Sequence, residues 1–118
     1  MEILVTRKSV TPETLEALAK AWYGTMVKGV ADIEQDILAL GGEWHMDANV
    51  KLLEGGSKQG DIWGFNIYPN EIGDKAIEYI SLINIRPAQG NRSMEIMDEK
   101  IREAVRSTAS RLLPFFDL

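Results

Sequence analysis

The sequence predicts a single α+β domain with the element order β-α-β-β-β-α. An antiparallel meander of three to four strands carries a long N-terminal helix and a C-terminal helix, both packed on one face. Three observations predict it. Apolar residues recur every three to four positions from Leu15 to Leu40, which is a helical spacing. Alternation in steps of two takes over across residues 43–53, and β-branched and aromatic residues dominate 61–68 and 77–86, as strands require. A helical period then returns after Asp98. With 118 residues the chain suffices for one domain that buries roughly two thirds of its unfolded surface. Residues 1–118 are therefore read as one unit, ending in an apolar tail over 113–118.

MEILV (1–5) reads as a short first strand. Thr11-Pro12-Glu13 opens the first helix, with Thr as N-cap, Pro at the first helical position and Glu in the first turn. Its stripe is Leu15, Leu18, Trp22, Met26, Val30, Ile33, Ile37 and Leu40, and Gly41-Gly42 is its stop. A helix over 12–40 would span about 43 Å, and Gly24 and Gly29 predict a bend or break within it. Strands follow at 43–53, 61–68 and 77–86, the last ending at Pro87. The links GGSKQG and PNEIGDK have hairpin turn chemistry. RPAQGNRS forms a loop, and Asp98 caps a final helix with the stripe Ile101, Val105, Thr108 and Leu112, which stops before Pro114. The tail PFFDL exposes two phenylalanines unless they dock on the core or on another subunit.

Composition narrows the function classes. Absence of cysteine removes disulfides, thiolate nucleophiles and cysteine-type zinc sites, and it fits a cytoplasmic protein. The first residues hold too short an apolar run for a signal peptide, and no segment approaches the roughly 20 apolar residues that span a bilayer. The net charge of −5 is spread over both halves of the chain. An acidic surface with no basic stripe disfavours nucleic acid and membrane surfaces as partners.

The stretch GGEWHMDANVKLLEGG (41–56) raises the functional question. Read as a strand, it sends Trp44, Met46, Ala48, Val50 and Leu52 one way and His45, Asp47, Asn49 and Lys51 the other. With Trp44, Met46, Val50, Trp63, Phe65, Ile67, Ile83 and Ile85 facing the helices, the opposite sheet face gathers His45, Asp47, Asn49, Lys51, Asn66, Glu78, Asn84 and Arg86. Ile62, Tyr68, Ile80 and Leu82 add apolar walls on that side. A mostly apolar recess with a few convergent polar groups is how small-molecule sites are built; a merely solvated sheet face is the plainer alternative.

His45, the only histidine, and Asp47 would sit about 7 Å apart along a strand, within reach of one ligand and available for proton transfer. A metal site would need a third ligand, which only Asp32, Asp61 or an asparagine could supply, and no metal is expected. The segment Arg86 to Ser93 offers two guanidiniums, two amides and a glycine with no acid between Glu78 and Glu95. That is an anion-binding composition, against which stands an ordinary strand-to-helix link. GGSKQGD lacks the Lys-Ser/Thr ending of a P-loop and leads into a strand. Lys28 and Asp32, four apart, read as a surface pair on the first helix.

At this point the residues resemble a known family. The pieces VKGVADIE, GGEWHMD, GSKQGDIWG and INIRPAQGNRS are similar to those of small bacterial and archaeal proteins classed as a domain of unknown function, across roughly residues 27–106. The matching positions are Lys28, Asp32, His45, Asp47, Gln59, Trp63, Asn84, Arg86, Asn91 and Arg92; Asn49 departs from the acid expected there. The resemblance implies no activity, cofactor or substrate.

The functional expectation is a small-molecule or anion-binding domain. His45, Asp47, Asn84 and Arg86 would form the floor, and Asn91 and Arg92 the rim. Lys28, Asp32 and Gln59 complete the ligand-binding candidates, and His45 and Asp47 are the catalytic ones. Two rivals stand beside it: a structural or interaction module forming a homo-oligomer, and a metal-assisted hydrolase.

Overall fold

The computed structural model describes residues 2–118; Met1, included in the predicted first strand, lies outside them. The chain forms an α+β domain with a five-stranded antiparallel sheet. The elements are β1 (Leu4–Thr6), α1 (Pro12–Trp22), β2 (Val27–Asp32), β3 (Ile37–Leu40), α2 (His45–Glu54), β4 (Ile62–Ile67), β5 (Ile77–Glu78) and α3 (Glu99–Leu112). The strand order is β1-β3-β2-β4-β5.

The helix starts follow their caps. The Thr11 hydroxyl accepts from the Thr14 amide at 3.2 Å, and the Asp98 carboxylate accepts from the Lys100 amide at 2.8 Å, each satisfying a donor the helix leaves open. As expected, α1 and α3 share one face of the sheet. Leu15, Leu18, Val105, Ala109 and Leu112 pack there on Val27, Ala31, Trp63, Phe65 and Ile67. The C-terminal tail docks on the same core: Phe116 is buried and Phe115 packs against it, their ring centroids 4.7 Å apart.

Three element assignments are corrected. The long helix over 12–40 is α1 followed by a β-hairpin. Gly24, at φ +81°, closes α1 in the left-handed conformation that costs glycine least. Asp32 then builds the hairpin turn, its Oδ1 accepting from the Glu34 and Gln35 amides at 3.0 and 2.9 Å. The stripe over 26–40 mimicked a helix because the hairpin is buried on both faces. Ile37–Leu40 is buried at every position, and such a strand loses its period of two. Lys28 and Asp32 therefore sit on one strand, roughly 13 Å apart at its rise per residue, and are no ion pair.

The strand over 43–53 is helix α2. Its buried residues, His45, Ala48, Asn49 and Leu52, recur at i, i+3, i+4 and i+7, a helical stripe. The alternation that suggested a strand mixes exposed Trp44, Met46 and Val50 with buried Ala48 and Leu52, so apolar residues mark the outer side of α2 as well. Trp44, Met46 and Val50 do not face the helices, and GGSKQG joins α2 to β4 rather than closing a hairpin. A second apolar cluster, with Val30, Ala39, Ala48, Leu52, Ile62 and Ile83, fills the space beneath α2.

The third strand, expected over 77–86, pairs only at Ile77–Glu78. The chain then crosses over β4 at Gly64, where a Cβ would lie 2.5 Å from the Cβ of Ser81; only glycine admits that crossing. Ile80 makes an isolated bridge to Glu95, and Leu82–Asn84 coils into a single 3₁₀ turn. Ile83 enters the second cluster while Ile85 is exposed. Among the described residues, no helix is long and apolar enough to cross a membrane.

Candidate functional site

Helix α2 covers one sheet face incompletely, and the two ends of that face differ. At the covered end, polar side chains are consumed by the fold. The Asn84 carboxamide accepts from Gly64 N at 2.8 Å and donates to Gly64 O at 3.0 Å, so a side chain stands where a neighbouring strand would continue beside β4. Arg86 extends the device: its guanidinium donates to the carbonyls of Ile83 at 3.0 Å, of Gln59 at 2.8 Å and of Ile62. It also lies over the Trp63 ring, 4.3 Å from the centroid. Asn91 Nδ2 lies 2.8–2.9 Å from the carbonyls of Asn84, Ser93 and Glu95, and its Oδ1 accepts from Met97 N at 2.9 Å. Together these bonds shape the turn that leads into α3.

The same holds along α2. Asn49 and Gln59 form a reciprocal amide pair, 2.9 Å in both directions. Asp32 is fully buried, and its Oδ2 accepts from Ser57 Oγ at 2.6 Å and Gln35 Nε2 at 2.9 Å. Burial opposes its ionisation, but these bonds and the two turn amides outweigh burial and hold the carboxyl below its ordinary value. Asp47 is an exposed cap, accepting from the Trp44 amide at 3.0 Å. Residues 45 and 47 are roughly 200° apart around a helix, so His45 and Asp47 serve different surroundings. Among the described residues, no group of three or more His, Asp or Glu side chains is gathered as a metal site would need. Arg92 is exposed.

The other end is open. Lys28, Asn66 and Glu78 are register partners across β2, β4 and β5, so their side chains form one row on the α2 face. His45, at the first position of α2, sits above this row with its Nε2 2.8 Å from Phe65 O. A carbonyl only accepts, which puts the ring proton on Nε2 and leaves Nδ1 with a lone pair. Burial pushes the imidazole down to about 4, opposed by the Phe65 carbonyl, the Asn66 side chain and the Glu78 charge and helped by the nearby Lys28 charge; His45 is neutral at pH 7. Burial also lowers the Lys28 ammonium, while Glu78 opposes that shift. Glu78 Oε1 in turn accepts from Asn66 Nδ2 at 2.8 Å and from the Tyr68 hydroxyl at 2.9 Å.

Above the row lies a recess of about 510 Å³, within the size range of small-molecule sites. Lys28, His45 and Asn66 line its floor. Trp44, Met46, Leu82 and Met94 line its mouth and are 58%, 51%, 68% and 41% exposed. One floor atom is out of balance. Asn66 is 5% exposed, and its Oδ1 is buried with no donor among the described residues. A buried acceptor left so costs on the order of 1–3 kcal/mol.

Of the residues that the sequence singled out, the structure brings Lys28 and His45 to this recess. Asn84, Arg86, Asn91, Gln59, Asp32 and Asp47 are gathered into separate internal bonds. The sequence reading had placed Asn66 and Glu78 on the polar face and Ile80 and Leu82 as its walls, without naming them as site residues. It missed Trp44, Met46 and Met94. The signal available for Trp44 and Met46 was the stripe His45, Ala48, Asn49 and Leu52, which turns both neighbours outward once α2 is read as a helix.

No curated protein and no solved structure matches the chain. Residues 4–112 match the family described as protein of unknown function (DUF5674). The span covers nearly the whole chain, and the chain belongs to that family.

Proposed function

We propose that this protein binds a small molecule in the recess between the start of α2 and residues 80–83, over the row Lys28–Asn66–Glu78. The observation that carries the proposal is the unpartnered, buried Oδ1 of Asn66 beneath an opening lined by exposed apolar side chains. Exposed apolar surface and an unsatisfied buried acceptor are each unfavourable alone, and one ligand relieves both. The anion-binding loop expected from Arg86 is not part of this reading, because its guanidinium is held by backbone carbonyls.

The test is thermal unfolding of the pure protein against a panel of neutral aromatic, aliphatic and anionic small molecules, in parallel with Leu82→Glu. Leu82 is 68% exposed, so this change alters the mouth and leaves the fold intact. A ligand at a hundred times its Kd stabilises by about 2.7 kcal/mol, a shift of several degrees in a domain of this size. Neutral molecules should raise the Tm of the parent protein and not of Leu82→Glu. Stabilisation by anions that persists in Leu82→Glu would contradict the proposal.

One observation favours a second reading. Met46, Val50 and Leu53 are all exposed at i, i+4 and i+7 on α2, a stripe of the kind that pairs helices. No stabilisation by any compound, together with a concentration-dependent oligomer that Val50→Glu dissociates, would favour a homo-oligomeric interaction module.

A further inference from the structure

We infer that the recess takes an uncharged, planar molecule whose edge carries an N–H donor beside a C=O acceptor, as in a lactam or a heteroaromatic ring amide. The inference rests on the binding reading above and names the ligand class.

The floor fixes the polar pattern. Asn66 cannot turn its amide over, because Nδ2 donates to two groups that only accept, Glu78 Oε1 at 2.8 Å and Ile80 O at 3.2 Å. Its Oδ1 is therefore locked as an acceptor, beside the His45 ring and without a donor in hydrogen-bond geometry among the described residues. Across the ladder stands Lys28, whose ammonium lies over the Tyr23 ring at 5.2 Å from its centroid and only donates. A ligand edge complementary to an acceptor next to a donor must present a donor next to an acceptor.

Charge and shape narrow it further. Lys28 and Glu78 flank Asn66 in the row, so the floor carries one charge of each sign and the imidazole between is uncharged. An anion would be drawn to Lys28 but repelled by Glu78, and a cation the reverse; a neutral ligand desolvates neither pair partner against a like charge. The mouth supplies an indole, Trp44, and two thioethers, Met46 and Met94, groups that pack well on the faces and edges of aromatic rings.

Three probes of one size class separate the terms: 2-quinolinone, its N-methyl derivative, which keeps the carbonyl and loses the donor, and 1-methylnaphthalene, which has neither. Each is titrated into the ¹⁵N-labelled protein and followed by amide shifts at residues 44–46 and 80–83. The expected result is that 2-quinolinone binds at least tenfold tighter than N-methyl-2-quinolinone, about 1.4 kcal/mol. Lys28→Met, which keeps the aliphatic stem, should weaken 2-quinolinone several-fold and leave 1-methylnaphthalene unchanged. Equal affinity for all three probes would overturn the ligand class while leaving the recess as a binding site. No shifts from any probe would overturn both.

Discussion

The two ends of the α2-covered sheet face are built from the same residue types and have opposite hydrogen-bond economies. At the closed end, Asn49, Gln59, Asp32, Asn84, Arg86 and Asn91 spend their polar atoms on one another and on backbone groups. At the open end, the row Lys28–Asn66–Glu78 leaves a buried acceptor unpaired under an apolar mouth. A mixed polar signature can thus be scaffold at one end and binding surface at the other. Partner accounting separates them where composition does not.

The largest effect is expected at the closed end. Asn84→Ala strips the partners from both the N–H and the C=O of Gly64, and unsatisfied buried groups cost about 1–3 kcal/mol each. A loss of about 3–5 kcal/mol should appear in denaturant unfolding, with Asn91→Ala somewhat smaller. A loss below about 1 kcal/mol in both would remove the structural role given to this end.

Next in size is a pH effect specific to His45. Its folded-state pKa lies at about 4, below the ordinary value near 6.5, so the unfolded chain takes up the proton first as pH falls. Stability should drop between about pH 6.5 and 4 and level off below, by on the order of 3 kcal/mol. Asp32, also depressed, loses its contribution as well on acidification, so the measured quantity is the difference between the parent protein and His45→Gln. A pH-independent difference would contradict a neutral, buried imidazole.

The smallest effect belongs to Asp47, which caps α2 from an exposed position. Asp47→Ala should cost about 1 kcal/mol and leave ligand affinity unchanged, since Asp47 does not line the recess. A loss of binding with unchanged stability would return Asp47 to the site.

Much of this architecture was legible in the chain. Thr11-Pro12 and Asp98 marked two helix starts because capping is local chemistry. The spacing in Trp63-Gly64-Phe65-Asn66-Ile67 gave β4 its facing, because its first core face holds only large side chains. Residues 26–40 were not legible as a hairpin, since burial on both faces erases the period that distinguishes strand from helix. Residues 43–53 failed for the converse reason: exposed Trp44, Met46 and Val50 supplied apolar residues where a solvated helix face has polar ones. That departure is itself the trace of the recess. The roles of Asn84 and Arg86 could not be read from sequence, because they depend on β5 ending after Glu78 and leaving the edge of β4 to side chains.

The most direct measurement is a ¹H–¹⁵N map of the amides that shift when 2-quinolinone is added to the parent protein and to Arg86→Lys. With the open end as the binding site and Arg86 as scaffold, the perturbed amides should cluster at Trp44–Met46, Ile80–Ile83 and Met94. Arg86→Lys should then unfold more readily while its folded fraction keeps the same affinity. Shifts centred on residues 86–92, abolished by Arg86→Lys, would contradict that division and return the site to the arginine loop.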